Sequence, residues 1–196
     1  MLATVFILIN YLNLRYMKQF KIPKKNWKSI PLDSAKFILE EGKDYLDYTL
    51  KESDKITNRA YSLVILLSTV LAAIVGYTFT KLTSESFSSI FVMNLYFSFV
   101  LSGFIIFLAT LVFPRSTMQK GRIPSKLAQE SLLLNPKLNS DEIYLSYVIR
   151  EIENTQDKID FNLIKNKERR TKLEVSLYII SALLPIYLSV AFYVVS

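Results

Sequence analysis

The chain has 196 residues, about one domain's worth, with 24 Lys and Arg against 17 Asp and Glu and 51% apolar residues. It holds no cysteine and no histidine, which excludes disulfides, thiolate nucleophiles, zinc fingers and the imidazole acid–base shuttle. The net charge of +7 is segregated: residues 60–80, 86–114 and 175–196 carry no charged side chain. Each stretch is long enough to cross a hydrocarbon core of roughly 30 Å as a helix. Backbone groups in lipid must be satisfied within the segment, and the alternation of a barrel strand is absent, so the stretches predict helices. The expected fold is an all-α integral membrane protein with three transmembrane helices and long cytoplasmic stalk helices.

In chain order, residues 1–14 are apolar but short for a span. Neither a basic start nor an A-x-A site marks a signal peptide. Four readings stand open: an interfacial helix, a fourth short span, a cytoplasmic strand or arm, or a true start at Met17. Residues 15–59 hold eleven basic and seven acidic residues. Pro23 and Pro31 punctuate them, and Asp33 or Ser34 is placed to cap a helix from Ser34. Ile38, Tyr45, Leu46, Thr49 and Leu50 fall on one face of it, and no breaker stands before Ala60. One helix should therefore run from this basic segment into the first span.

Residues 60–113 form a transmembrane hairpin closed by a short turn at 81–89. The following segment, 114–172, opens with a Gly- and Pro-bearing loop containing a short helical piece around 125–134. Ser140, followed by Asp141 and Glu142, then offers a capping oxygen and acids near the positive helix end. Leu145, Val148, Ile149, Ile152, Ile159 and Leu163 continue at helical spacing, and no breaker appears before Pro185 in the last span, 173–196. Two stalks with apolar stripes should pack on each other or on a sister subunit. Residues 15–59 and 115–172 hold eleven and twelve of the basic residues, against one in the opposite turn. The positive-inside rule then makes both segments cytoplasmic and leaves the C-terminus outside.

Within the spans the polar residues are Ser, Thr and Asn. Asn94, Ser98 and Ser102 share one helix face, as do Ala72, Gly76 and Thr80. Such residues serve helix packing, where small side chains permit close approach, or line a pore between subunits. No ionisable group lies at membrane depth, which argues against a pump or coupled carrier. Lys165, Lys167, Arg169, Arg170 and Lys172 precede the last span and are suited to anionic headgroups. Arg115, Lys120, Arg122 and Lys126 lie in the loop, where a phosphate-rich ligand could be gathered, although no Walker-type glycine loop is present. The carboxylate pairs Glu40–Glu41, Asp141–Glu142 and Glu151/Glu153 read as solvated faces, and Trp27 as part of an interfacial belt. No motif frames a Ser–Lys or carboxylate mechanism. A non-enzymatic protein without cofactor or metal is expected, and no direct nucleic-acid binding.

From Tyr45 to Val195 the chain resembles small bacterial membrane effectors of the SLATT type. A charged helix leads through Asn58-Arg59-Ala60-Tyr61 into a two-span hairpin, and a long helix follows with Asn162, Asn166 and Arg170 at four-residue spacing. Here that helix continues into a third span beyond the common two-span plan. The resemblance implies a homo-oligomer in the bacterial inner membrane that permeabilises or depolarises it in anti-phage defence. Its partners would be membrane lipids and a cytoplasmic protein or nucleotide signal. A non-conducting anchor or sensor that recruits a soluble partner is the alternative.

Overall fold

The computed structural model describes residues 20–82, 89–113, 117–122, 124–128 and 130–195. Residues 1–14 and the turn expected after the first span, apart from its ends, lie outside the described residues. Among those described the fold is all-helical, without strands. A 3-10 turn at Lys24–Ser29 precedes α1 (Leu32–Leu82), α2 (Ser89–Val112), the single turns α3 (Pro124–Leu127) and α4 (Glu130–Leu133), and α5 (Ser140–Val195). Both expected continuities hold. α1 runs for 51 residues without a break, and α5 runs for 56 residues with Pro185 inside it. Three helices are long and apolar enough to cross a membrane, within Leu32–Thr80, Ser89–Val112 and Ser140–Tyr193. In their most apolar windows only 11%, 17% and 11% of residues are buried. The chain therefore leaves far more apolar helix surface uncovered than a water-soluble protein normally exposes.

Helix ends differ from expectation in ways that follow from local chemistry. α1 begins at Leu32, and the Ala35 N–H already donates to the Pro31 carbonyl at 3.1 Å. Pro31 thus sits just outside the helix, and Asp33 complements the dipole from the first turn rather than capping it. The helical piece expected at 125–134 is two separate turns, the first opening on Pro124, whose missing N–H costs nothing there. At the start of α5 the capping oxygen belongs to Asn139, not Ser140. Asn139 Oδ1 accepts the Glu142 N–H at 2.8 Å, and Glu142 Oε2 accepts the Asn139 N–H at 3.1 Å. This reciprocal pair is a capping box with Asn in the Ser/Thr position. Lys28 reaches the same carboxylate at 2.9 Å. That contact, with the Asn139 N–H, holds the Glu142 carboxyl below its usual range.

The chain divides into two compact units, the first from the described residues of Met1–Leu46 and Lys120–Asp160 and the second from those of Asp47–Gln119 and Phe161–Ser196. In the first unit α1 turns Ala35, Leu39 and Leu46 inward, while α5 answers with Val148 and Ile152. Gly42 lies on that face. A Cβ there would stand 3.4 Å from Thr155 Cγ2, so the absent side chain lets the helices approach. Ile38 and Tyr45, expected on the inner face, are instead half-exposed. In the second unit Ile56, Ala60 and Leu67 of α1 meet Leu101, Leu108 and Leu111 of α2 and Leu173 and Ile180 of α5. Leu163, also expected inward, is 38% exposed, and Asn162 takes the buried position beside it.

Asn139→Ala should lower the unfolding free energy by about 1 kcal/mol, measured by denaturation in detergent, whereas Ser140→Ala should leave it nearly unchanged. Asp157 gives a pH test. Desolvation first, then repulsion from Asp160 and Glu153, raises its carboxyl pKa. The folded state then binds this proton more tightly than the unfolded state, so the ionised carboxylate opposes folding at neutral pH. Asp157→Asn should be more stable than the parent at neutral pH, and the gap should close as pH falls through the raised pKa.

Candidate functional site

Two polar sites emerge, one in each unit. In the second unit, buried polar groups occupy positions where a helix seam would ordinarily hold leucines. Asn162 is fully buried; its Nδ2 donates to Thr49 Oγ1 at 3.2 Å and to the Met118 carbonyl at 3.1 Å, and its Oδ1 accepts the Met118 N–H at 2.8 Å. Asn166 Nδ2 donates to the Thr49 carbonyl at 2.7 Å. Arg169 donates to Ser53 Oγ at 2.8 Å, Thr57 Oγ1 at 2.7 Å and the Leu111 carbonyl at 2.6 Å. Leu111 lies in the last turn of α2, whose carbonyls have no intrahelical partner, so the guanidinium closes that helix end. Burial disfavours its charge and the Asp54 carboxylate partly restores it; an arginine nevertheless stays protonated.

The juxtamembrane basic cluster is thus engaged within the chain. Lys165 and Lys172 pair with Glu168 at 3.4 and 2.7 Å, and Arg170 pairs with Glu52 at 2.6 Å. Lys167 stands exposed. Further along the same unit, Asn94 is 1% exposed. Its Nδ2 donates to Thr78 Oγ1 of α1 at 3.0 Å, and its Oδ1 accepts from Tyr187 Oη of α5 at 2.9 Å. One amide therefore ties all three apolar helices, with Phe97 stacked on Tyr187 at 4.3 Å between ring centroids. Ser102 Oγ returns to the Ser98 carbonyl at 2.8 Å, and Ser98 borders a small cavity of about 120 Å³ with Thr78 and Phe91. Ala72, Gly76 and Thr80 are exposed, and a Cβ on Gly76 would meet nothing within 4 Å. Ala72 and Gly76 face outward among the described residues, and Thr80 Oγ1 donates to the Tyr77 carbonyl at 2.8 Å.

The first unit contains a cleft of about 870 Å³, within the range of small-molecule sites. Leu39, Leu46, Val148 and Pro124 supply apolar wall, and Tyr144 and Tyr147 border it. Four cations line it, Lys43, Lys120, Arg122 and Lys158, against one carboxylate, Glu151. Gly121 makes this arrangement possible. Its φ of 78° lies in the left-handed region open to glycine, and its carbonyl accepts from Lys158 Nζ at 2.7 Å. That bond holds a lysine with only 9% of its surface exposed. The next residue, Arg122, sets its Nη2 on the Arg150 carbonyl at 3.2 Å and its Nε 3.2 Å from Glu151 Oε2. That last contact is an ion pair without hydrogen-bond alignment, and Glu151 Oε2 is buried with no hydrogen bond among the described residues. Tyr147 Oη, one helical turn away, is likewise buried and unpartnered there.

The loop residues singled out in the sequence are therefore partly reunited: Lys120 and Arg122 line the cleft, Arg115 lies outside the described residues, and so does the side chain of Lys126. Glu151 is not on a solvated face but in the cleft, and Glu153 accepts the Ile22 N–H at 2.7 Å. Glu40, Glu41 and Asp141 are exposed, as expected. Trp27 belongs to the first unit, its Nε1 donating to the Ile22 carbonyl at 2.9 Å. Lys43, Tyr147 and Lys158 carried no sequence signal beyond their place on amphipathic helices. Among the described residues no three acidic side chains gather as a metal site. Compared with protein-family models, curated proteins and solved structures, the chain matches none.

Arg169→Met should destabilise the second unit by about 1–3 kcal/mol, because the Leu111 carbonyl loses its donor away from water. Lys167→Met should not, and denaturation of the two variants side by side separates structural from exposed basic residues. Asn94→Leu should cost about 0.6–2 kcal/mol through the lost interhelical bonds, with Tyr187→Phe giving part of the same loss.

Proposed function

We propose that the chain is a multi-pass protein of the bacterial inner membrane in which a cytoplasmic ligand-binding unit governs the state of three membrane helices. The carrying observation is that three largely uncovered apolar helices belong to the same chain as a cation-lined cleft of about 870 Å³. Lipid covers the helices, and the basic segments at 15–59 and 115–172 stay on the cytoplasmic side. α1 and α5 contribute residues to both units, so ligand-dependent repacking along either helix is the route by which a signal reaches the spans. In this reading the protein is the signal-receiving membrane component of an anti-phage defence system, acting as a sensor or anchor for a cytoplasmic partner.

A second reading, an oligomeric effector that opens a pore, is favoured by the outward Ala72, Gly76 and Thr80, which permit close approach of a second copy. Asn94 is consumed within one chain, so a conduit would form between copies, at other surfaces.

The absence of cysteine gives a clean background for topology. Lys137→Cys should react with an impermeant maleimide only after the cells are opened, and Ser86→Cys should react in intact cells. The reverse pattern would invert the orientation. Potassium flux through liposomes carrying the protein decides between the readings. Tight vesicles together with a co-purifying cytoplasmic protein support the sensor, and flux abolished by Gly76→Leu supports the pore.

A further inference from the structure

The shape and polarity of the cleft in the first unit narrow its ligand. We propose that it binds a small organic phosphate whose body is flat, largely apolar and equipped with an N–H donor, the chemistry of a nucleoside monophosphate. Four cations face one carboxylate in this cleft, so an anion is favoured and a cation is repelled. The charges do not fill it, however: Leu39, Leu46, Val148 and Pro124 form wall that a bare phosphate would leave uncovered. Tyr144, 48% exposed at the border with Lys36 Nζ 5.6 Å over its ring, adds aromatic surface against which a planar body can pack.

The third constraint comes from two polar atoms. Glu151 Oε2 and Tyr147 Oη are both buried and both lack a hydrogen bond among the described residues, although Arg122 Nε stands 3.2 Å from Oε2 as an unaligned ion-pair partner. Glu151 Oε1 takes a long bond of 3.4 Å from Asn154 Nδ2. An ionised carboxylate only accepts, so the group that completes Oε2 must donate; a tyrosine hydroxyl can donate or accept. Four residues apart, the two side chains share one face of α5. An edge carrying an N–H beside an acceptor answers both, as a nucleobase does, whereas a fatty acid or simple phosphate leaves Oε2 with the Arg122 ion pair and no aligned hydrogen bond. Lys158 Nζ spends one donor on Gly121 and retains two for a phosphate oxygen, with Lys43 adding charge from an exposed position.

Binding requires neither membrane insertion nor conduction. Only its role as the trigger rests on the function proposed above, so the two can fail separately. Isothermal titration of the full chain in detergent tests it, with AMP, GMP, CMP and UMP, inorganic phosphate and lysophosphatidic acid as probes. At least one mononucleotide should bind more tightly than inorganic phosphate. Lys158→Met and Lys43→Met should each weaken it by about tenfold, the loss of one charge-assisted contact. Glu151→Gln, which removes the N–H acceptor and also frees Arg122, should weaken the mononucleotide relative to inorganic phosphate, whose own binding should tighten. Three results would overturn the proposal. The four nucleotides may bind no better than phosphate, or lysophosphatidic acid may occupy the cleft without being displaced by them. The third is mononucleotide affinity that is indifferent to Lys43→Met, an exposed change that leaves folding intact.

Discussion

Everything in this fold depends on an alternation of three- and four-residue steps between the inward positions of its two long helices. On α1 the buried Ala35, Leu46, Thr49, Ser53, Ile56 and Ala60 belong to one such series, which Leu67 and Ile74 extend. On α5 the series is Val148, Ile152, Thr155, Ile159, Asn162 and Asn166, extended by Leu173, Ser176 and Ile180. A mean step of 3.5 keeps the same face of a helix turned toward its neighbour, the geometry of coiled-coil seams. α2 joins with Asn94, Leu101 and Leu108, each seven residues from the next. An inserted residue in either long helix would turn every later inward position toward the outside, so the cleft, the Arg169 clamp and the Asn94 junction all inherit their placement from this register.

The energetics change along that seam even though its geometry does not. For the buried Leu46, Ile149 and Ile152, leaving water stabilises each side chain by about 1.5–3 kcal/mol. Leu101, Leu108 and Ile180 sit in helices whose outer surfaces are just as apolar; were lipid outside, exchanging one hydrocarbon neighbour for another would yield little. There, close packing and hydrogen bonds must choose the partners. This is why a single asparagine shared by Thr78 and Tyr187 matters more in the apolar segment than several leucines, and why the guanidinium of Arg169 stands where the chain needs α2 ended and held.

The three helices long and apolar enough to cross a membrane were legible, because the absence of charge that lipid would demand is visible as missing letters in three stretches. The unbroken helices were legible because neither Pro nor Gly interrupts the junction at Ala60. The inner face of α1 was not legible, since the eye follows Ile38 and Tyr45 while the helices meet at Ala35, Gly42, Thr49 and Ser53. Close approach selects small and hydrogen-bonding residues, the ones a hydrophobic periodicity discounts. Ser140 was a reasonable cap by type, but only the reciprocal bond with Glu142 singles out Asn139. The cleft was half legible. Lys120 and Arg122 stood out in a Gly-bearing loop, whereas Glu151 and Lys158 became partners of that loop only through the left-handed turn at Gly121.

That turn also sets the chemistry of the cleft in the first unit. Lys158 is held by one carbonyl bond, and Arg122 by another and by Glu151, so two of the four cations lining the cleft are fixed in place by the chain itself. The seam resists side-chain rearrangement by small steps, because its buried amides at Asn162 and Asn166 each bind backbone at fixed points.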